Sequence, residues 1–493
     1  MRVEINQLNY MNNSIFFKRS VALILLATLG GFTGSCKKEA SEEEKKEPKP
    51  GSEVMVSQNA ITPEEFPDNL NIDGFHFPED SLKIYQWLAD QDTIQINKHA
   101  WGIWAGLTEK SNQVYKGDTL LVYETWLGVK ELADMSANSD KEGGCTKTKT
   151  ERAHLSIPKQ FIHAQVFAKQ KAVIDTTFNV FESVSYNPAA ACFATSNLIF
   201  NQSVLDSYNK TDGIGKIPDF PANSITTKPV YYAGKPDDNG LIRVPVWPGM
   251  PSKPQVFGYD DWHTYVYVDI NNSQPERTLV PVVGENPSGE QITNASCNVS
   301  DFINFKLDSA AAAYLNEHQD KGNDNFKAGD LVFLVAMHVG TKEISNWTWQ
   351  TYFWSYDPQN PFFPSSKFQA DLRPGIITGA AANYSVSSCY AMVWPNQPIS
   401  GGTDKNATPI VSFNPYLEGS FGPNVFSVKN NFRKDFQYGI QTNCMTCHAL
   451  ATAKGNVGYA TDQYIDMKDM SLFKNQVQLD FAWSIQGNIN TNK

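Results

Sequence analysis

Asp330-Leu331-Val332-Phe333-Leu334-Val335-Ala336-Met337-His338 is the stretch on which the fold turns. A half-exposed strand or an amphipathic helix would interleave polar positions. An unbroken apolar run this short, rich in β-branched and aromatic residues, predicts a strand covered on both faces. Asn346–Tyr356, which alternates aromatic and polar residues, reads as its partner strand. Working outward, Phe178–Tyr186, Pro229–Ala233, Ile242–Trp247, Thr264–Ile270 and Thr278–Val283 have strand composition and are punctuated by Pro and Gly. Gly117–Trp126 reads as another strand, opened by a turn at Lys116-Gly117-Asp118. Helices are expected at Asp80–Asp92, with Asp80 as N-cap, and at Trp101–Leu107, Asn197–Tyr208 and Ser309–Glu317. The expected class is α+β: a β-rich globular body followed by a short α-helical or irregular C-terminal segment.

The chain has 493 residues, enough for a large core or for two to three domains. Aromatic residues make up 12% and charged residues 19%, the balance of a folded chain rather than a disordered one. The formal net charge is -11 and no basic stripe appears, which argues against a nucleic-acid partner. No internal repeat and no second transmembrane segment is seen.

Lys18 and Arg19 precede the apolar run Val21–Leu29, and small residues from Gly30 to Ser35 lead to Cys36. This is the layout of an export signal, with an apolar region too short to span a bilayer. Met11 is an alternative start for that signal. Thr33-Gly34-Ser35-Cys36 is similar to a bacterial lipobox, though Leu is preferred at its first position. Cleavage before Cys36 and acylation of its thiol would leave a lipid-anchored protein, stably held once two or more acyl chains are present. The competing reading is an ordinary secretory signal with a bystander cysteine. Residues 37–52 are charged, contain proline, and are expected to form a disordered tether.

Export implies an oxidising compartment and changes the meaning of the cysteines. Of the seven, Cys145, Cys192, Cys297 and Cys389 remain once Cys36, Cys444 and Cys447 are set aside. Four cysteines allow three complete pairings, and the sequence does not choose among two bridges, one bridge or four thiols.

Asn443-Cys444-Met445-Thr446-Cys447-His448 contains C-x-x-C-H. Thiols at this spacing can add to the two vinyl groups on one edge of a porphyrin, and the following histidine then supplies the proximal nitrogen of the iron. The expectation is one covalent haem c on Cys444 and Cys447, with His448 as axial ligand. The alternatives are a redox C-x-x-C pair, which should open a helix after a βα unit, and half of a zinc site, which needs a second ligand pair. Only 45 residues follow His448. Candidate sixth ligands are therefore Met467 and Met470 nearby, or His338 from the body, and the position could also be open or water-filled. Against each stands a plainer role: tail residues for the two methionines, a hydrogen-bonded core histidine for His338.

Several segments together resemble the large bacterial proteins grouped as the cytochrome c family. Ala100–Leu107 is similar to the family's early tryptophan-alanine-leucine helix. Val122–Trp126 is similar to its tryptophan-glutamate-threonine strand, with Tyr123 in place of Trp. Met337–Lys342 and Trp347–Tyr352 resemble a His–Lys–Trp-x-Trp-x-Thr-Phe block, Asn443–Ala449 the haem site, and Asp480–Trp483 the terminal aromatic block. The resemblance spans most of residues 95–485 and implies a single-haem protein with an unusually large body and no established substrate. His338 and Lys342 are kept. Phe353–Asp357 stands where the family tends to carry a glutamate-histidine pair, so no role of that pair transfers.

Other chemistry is thin. Trp347, Trp349 and Trp354 with Tyr352 could line an electron path or simply fill a core. Asp260-Asp261-Trp262-His263 and Asp237-Asp238-Asn239-Gly240 read as turns rather than as a carboxylate–histidine pair and a calcium loop. No hydrolase or nucleotide-binding motif appears.

The expected organisation is a signal (1–35), an anchor and tether (36–53), an α+β body (54–430) and a haem c attachment segment (431–493). The function expected is electron transfer by an exported, lipid-anchored cytochrome of a bacterial cell envelope. It would be periplasmic or on the outer membrane, surface-exposed or not, and would serve an unidentified redox protein. The alternative is a haem-dependent, peroxidase-like oxidoreductase with a small-molecule pocket in the body.

Overall fold

The computed structural model describes residues 61–491, apart from 116, 139–143, 149–178, 319–325, 396–406, 431–436 and 456. The segments read as an export signal and a tether, with Cys36 between them, lie outside the described residues. Eight strands form the principal sheet: β1 (Leu127–Gly128), β2 (Asn179–Glu182), β3 (Ser185–Tyr186), β4 (Ile225–Ala233), β5 (Asn304–Lys306), β6 (Leu331–Thr341), β7 (Thr348–Trp354) and β8 (Tyr384–Cys389). Their order is β8-β7-β6-β4-β3-β1, with β5 added to β6 and β2 to β4. Every pairing is antiparallel. The opening apolar stretch is β6, between β7 and β4 and buried from Val332 to Thr341. It continues three residues beyond the sequence expectation, and β7 is buried at all seven positions.

Two helices cover one face. Asp80 caps α1 (Ser81–Asp90) by accepting the Leu82 N–H, and Asp92 caps α2 (Thr93–Thr108) by accepting the Gln95 N–H. α2 is buried from Ala100 to Leu107. Trp104 stacks on Tyr352 with ring centroids 4.4 Å apart. The indole N–H groups of Trp101 and Trp104 donate to the carbonyls of Gln369 and Ala381, so burying these rings leaves no orphan donor. A second apolar cluster joins β1, β3, the helix Pro188–Ser196, Trp347 and Trp349 to Met445, Leu450, Phe481 and Ile485. Apolar residues between Cys444 and Ile485 thus share a core with segments that precede the sheet's central strands. A smaller sheet is built around Thr264–Asp269, and α+β with a β-rich body describes the whole.

Three expectations change. Gly117–Trp126 is a strand only over Asp118–Leu121; Val122–Thr125 turns into a 3-10 helix because Glu124 accepts the Leu121 N–H and Thr125 donates to the Val122 carbonyl. The helix expected over Asn197–Tyr208 is confined to Gln202–Ser207, and a longer one lies before it at Pro188–Ser196. Asn187 caps that helix and Pro188 starts it, a local signal as strong as any in the chain. Thr278–Val283 pairs only at Val282–Val283, since Pro281 brings no N–H to a ladder.

Cys145 and Cys192 form a disulfide that ties the short helix Gly144–Lys147 to Pro188–Ser196. Cys297 and Cys389 are buried thiols. Among the described residues, no helix is long and apolar enough to cross a membrane.

Candidate functional site

Cys444, Cys447 and His448 occupy one short helix, here α4 (Cys444–Ala449), and Glu418, the last residue of α3 (Pro415–Glu418), lines the same pocket. Spacings of three and four residues put both thiols and the imidazole on one stripe of a helix. Asn443 fixes the start of α4: its Oδ1 accepts the Thr446 N–H at 2.9 Å, and its Nδ2 donates to the carbonyls of Ala391 and Ile410. Trp483 donates its indole N–H to the Cys447 carbonyl at 2.9 Å. The two cysteines are not bridged. Their thiols donate to the carbonyls of Ser412 and Ala460, and burial pushes both above the ordinary thiol range. A redox C-x-x-C pair needs the opposite, a stabilised thiolate. Among the described residues, no group of three His, Cys, Asp or Glu is arranged to hold a metal ion by itself.

The tautomer of His448 follows from its partner. Nδ1 lies 2.8 Å from the carbonyl oxygen of Phe481, which can only accept, so Nδ1 carries the proton and Nε2 keeps a free lone pair. Burial lowers the imidazole to about 3, so the ring is neutral near pH 7, the form that binds metals. Trp349 lies against it, with ring centroids 3.8 Å apart.

The facing wall is the sheet. Register pairs His338 with Lys228 on one side and Thr351 on the other, and Gly340 with Thr226 and Trp349. These positions alternate along their strands, so Thr226, Lys228, His338, Gly340 and Trp349 point to one face and line one pocket with Cys444, Cys447 and His448. The pocket encloses about 1300 Å³ with its solvent-open mouth included. Gly340 makes room in it: a Cβ there would lie 2.9 Å from Cζ3 of Trp349 and 3.3 Å from the Thr226 hydroxyl. Gly340→Ala is therefore expected to push the indole off His448 and to cost about 1–2 kcal/mol through overpacking. Urea denaturation with tryptophan fluorescence reads both effects; wild-type values for both would show that the indole has slack.

His338 donates from Nε2 to Oε1 of Glu418 at 2.9 Å, and His338 is only 7% exposed. The other carboxylate oxygen accepts the Asn414 N–H at 2.6 Å. Burial raises the Glu418 carboxyl, but the His338 ring and the Asn414 N–H outweigh it and hold the group below its ordinary value. Lys228 pairs with Glu182 at 2.6 Å.

Of the residues the sequence singles out, Cys444, Cys447, His448 and His338 meet in one pocket. Met467 and Met470 do not line it. Met470 is 44% exposed at the start of the helix Met470–Phe473, and Met467 packs at the border of the second core. The aromatic group divides: Trp349 faces the pocket with Trp347 behind it, whereas Tyr352 stacks on Trp104 and Trp354 on Phe302. Asp261 closes a turn on the Gly258 N–H, and His263 pairs with the exposed Glu285. Asp237 accepts from Asn239 and Leu241 as a turn residue should. Sequence reasoning misses Glu418 and the Phe481 carbonyl, which come from 80 and 33 residues away. No family model, no curated protein and no solved structure matches the chain.

Proposed function

We propose that this chain is an exported, lipid-anchored c-type cytochrome whose single haem occupies the pocket between α4 and the sheet and carries electrons. The observation that carries the reading is the imidazole of His448. Its Nδ1 is committed to a backbone carbonyl, its Nε2 is left for a metal, and two unbridged thiols stand on the same helical stripe. Those residues fit a haem c: Cys444 and Cys447 for the thioether bonds, His448 for the proximal nitrogen, and a pocket of sufficient size with Trp349, Tyr459 and Phe481 in its wall. When bound, a haem c supplies a one-electron Fe(III)/Fe(II) couple. His338 is the proposed sixth ligand, since of the three candidates His338, Met467 and Met470 it alone lines the pocket; with Nε2 donating to Glu418, Nδ1 is the ring nitrogen left with a lone pair. Acylated Cys36 and the charged tether would hold the protein at the cell envelope, and the resemblance to cytochrome c family proteins agrees with this reading.

A second reading is favoured by one observation. His338 and Glu418 are a hydrogen-bonded acid–base pair in the pocket wall, so the site holds groups able to move a proton to or from a small molecule. In that case the sixth position stays open and the chain is a haem-dependent oxidoreductase.

The mass of the denatured protein, expressed in a host that attaches haem c, tests the shared premise; an unmodified mass removes it. The reduced optical spectrum with and without carbon monoxide then separates the readings. The electron carrier is expected to be low spin and insensitive to carbon monoxide, with His338→Ala becoming high spin and carbon monoxide-binding. Ready binding by the unaltered protein would reject a six-coordinate carrier in favour of the open site.

A further inference from the structure

The carbonyl that holds His448 sits in an unusual turn. Asp480 and Phe481 have φ of 47° and 69°, two successive left-handed residues, neither of them glycine or asparagine. Such a conformation persists only where the surroundings over-determine it. The surroundings here are a buried ion pair. Lys342 Nζ donates to Asp480 Oδ1 at 2.6 Å, and to the Ser345 carbonyl at 3.0 Å and Asp219 at 3.1 Å. Asp480 Oδ2 accepts the Phe220 N–H at 3.0 Å and the Trp347 indole N–H at 3.4 Å. Asp480 is 1% exposed and Lys342 6%. A pair of apolar residues would fill this space without removing two charges from water, so packing alone does not call for an ion pair. What the pair does locally is fix three donors around one carboxylate and so fix the turn at Asp480–Phe481, whose second carbonyl, that of Phe481, faces His448.

We infer that Lys342 and Asp480 are positioning residues for the His448 imidazole. Through the Asp480–Phe481 turn they aim a carbonyl at Nδ1–H and set how strongly the ring donates to a metal on Nε2. The inference rests on the proposed haem reading and adds a control on that haem's potential. A hydrogen bond from the second ring nitrogen raises ligand basicity, and loss of such a partner weakens metal binding 10- to 100-fold. A more basic imidazole favours ferric over ferrous iron, so slackening the lock raises the midpoint potential.

The test compares the unaltered haem protein with Asp480→Asn, Lys342→Met, the double variant Lys342→Met/Asp480→Asn, and Lys342→Arg. The double variant leaves no unpaired buried charge, so it folds even where Lys342→Met alone does not. Two quantities are read: the midpoint potential, and the exchange rate of the His448 Nδ1 proton, resolved by its paramagnetic shift in the ferric protein. The double variant is expected to show a ferric preference about tenfold weaker, which is ~59 mV upward for one electron, and proton exchange about tenfold faster or more. Lys342→Arg is expected to move both back toward the unaltered values. Haem-bearing variants with unchanged potential and exchange would overturn the inference alone. Absence of haem from the unaltered protein would overturn the reading beneath it as well.

Discussion

Lys342→Met is expected to lower the free energy of unfolding by about 3–5 kcal/mol, the cost of stranding a buried carboxylate. The Asp480 side chain is fully shielded and its partner ammonium is 5% exposed. The remaining cation within reach is Lys216 at 3.7 Å, on a side chain 42% exposed, and solvent screening leaves it little to offer. Asp219, the other carboxylate on Lys342, is 60% exposed and should contribute correspondingly little. Guanidinium titration of the single and double variants measures the effect. The double variant Lys342→Met/Asp480→Asn should recover most of the loss, because it removes the stranded charge along with its partner. A single-variant loss under about 1 kcal/mol would mean that water reaches Asp480, and the lock would then have no dry interior to act in.

Acid should destabilise the haem-free chain early, between pH 6.5 and 4.5. The His448 imidazole lies at about 3 in the fold and at its ordinary 6.5 in the unfolded chain. Between those values the unfolded state binds one proton more, so stability falls as pH falls, by about 1.4 kcal/mol per unit. It is flat above 6.5, where both states are neutral. Over the upper two units this amounts to about 2–3 kcal/mol. The depressed carboxylates do not obscure that window: Asp269 and Glu285, held at about 2 by hydrogen bonds to their oxygens despite partial burial, lose their contributions only below their ordinary values of 3.8 and 4.5. His448→Gln should flatten the profile between 4.5 and 6.5 and leave the lower limb intact. An unchanged slope in that variant would place the acid-sensitive proton elsewhere.

The sheet is legible where one strand carries its own signature. The run from Leu331 to Met337 has no polar interruption, and it becomes the strand with neighbours on both sides. Asp80 announces its helix in the same way, through a side chain that serves the next turn. Val122–Thr125 misleads, because its composition suits a strand while Glu124 reaches back to a nearby N–H and closes a turn. Within the site, the stripe Cys444, Cys447 and His448 is local and can be read directly. Glu418 cannot, since its meeting with His338 depends on how α3 packs against β6. A backbone carbonyl has no residue identity at all, so nothing marks Phe481 as the partner of His448. Lys342 and Asp480 stand in two segments the sequence singles out, but neither segment says that they touch across 138 residues.

Cys444 is 7% exposed in the finished fold, and its thiol donates to the Ser412 carbonyl. Its neighbours come from both sides of it in the chain, and the carbonyl that holds His448 is made 33 residues later. A chain emerging in order from its N-terminus therefore presents the two thiols and the imidazole naked until that last portion arrives and docks. Any reagent that must bond to Cys444 has that interval to act in, and an enzyme that installed the proposed prosthetic group there would compete with folding itself.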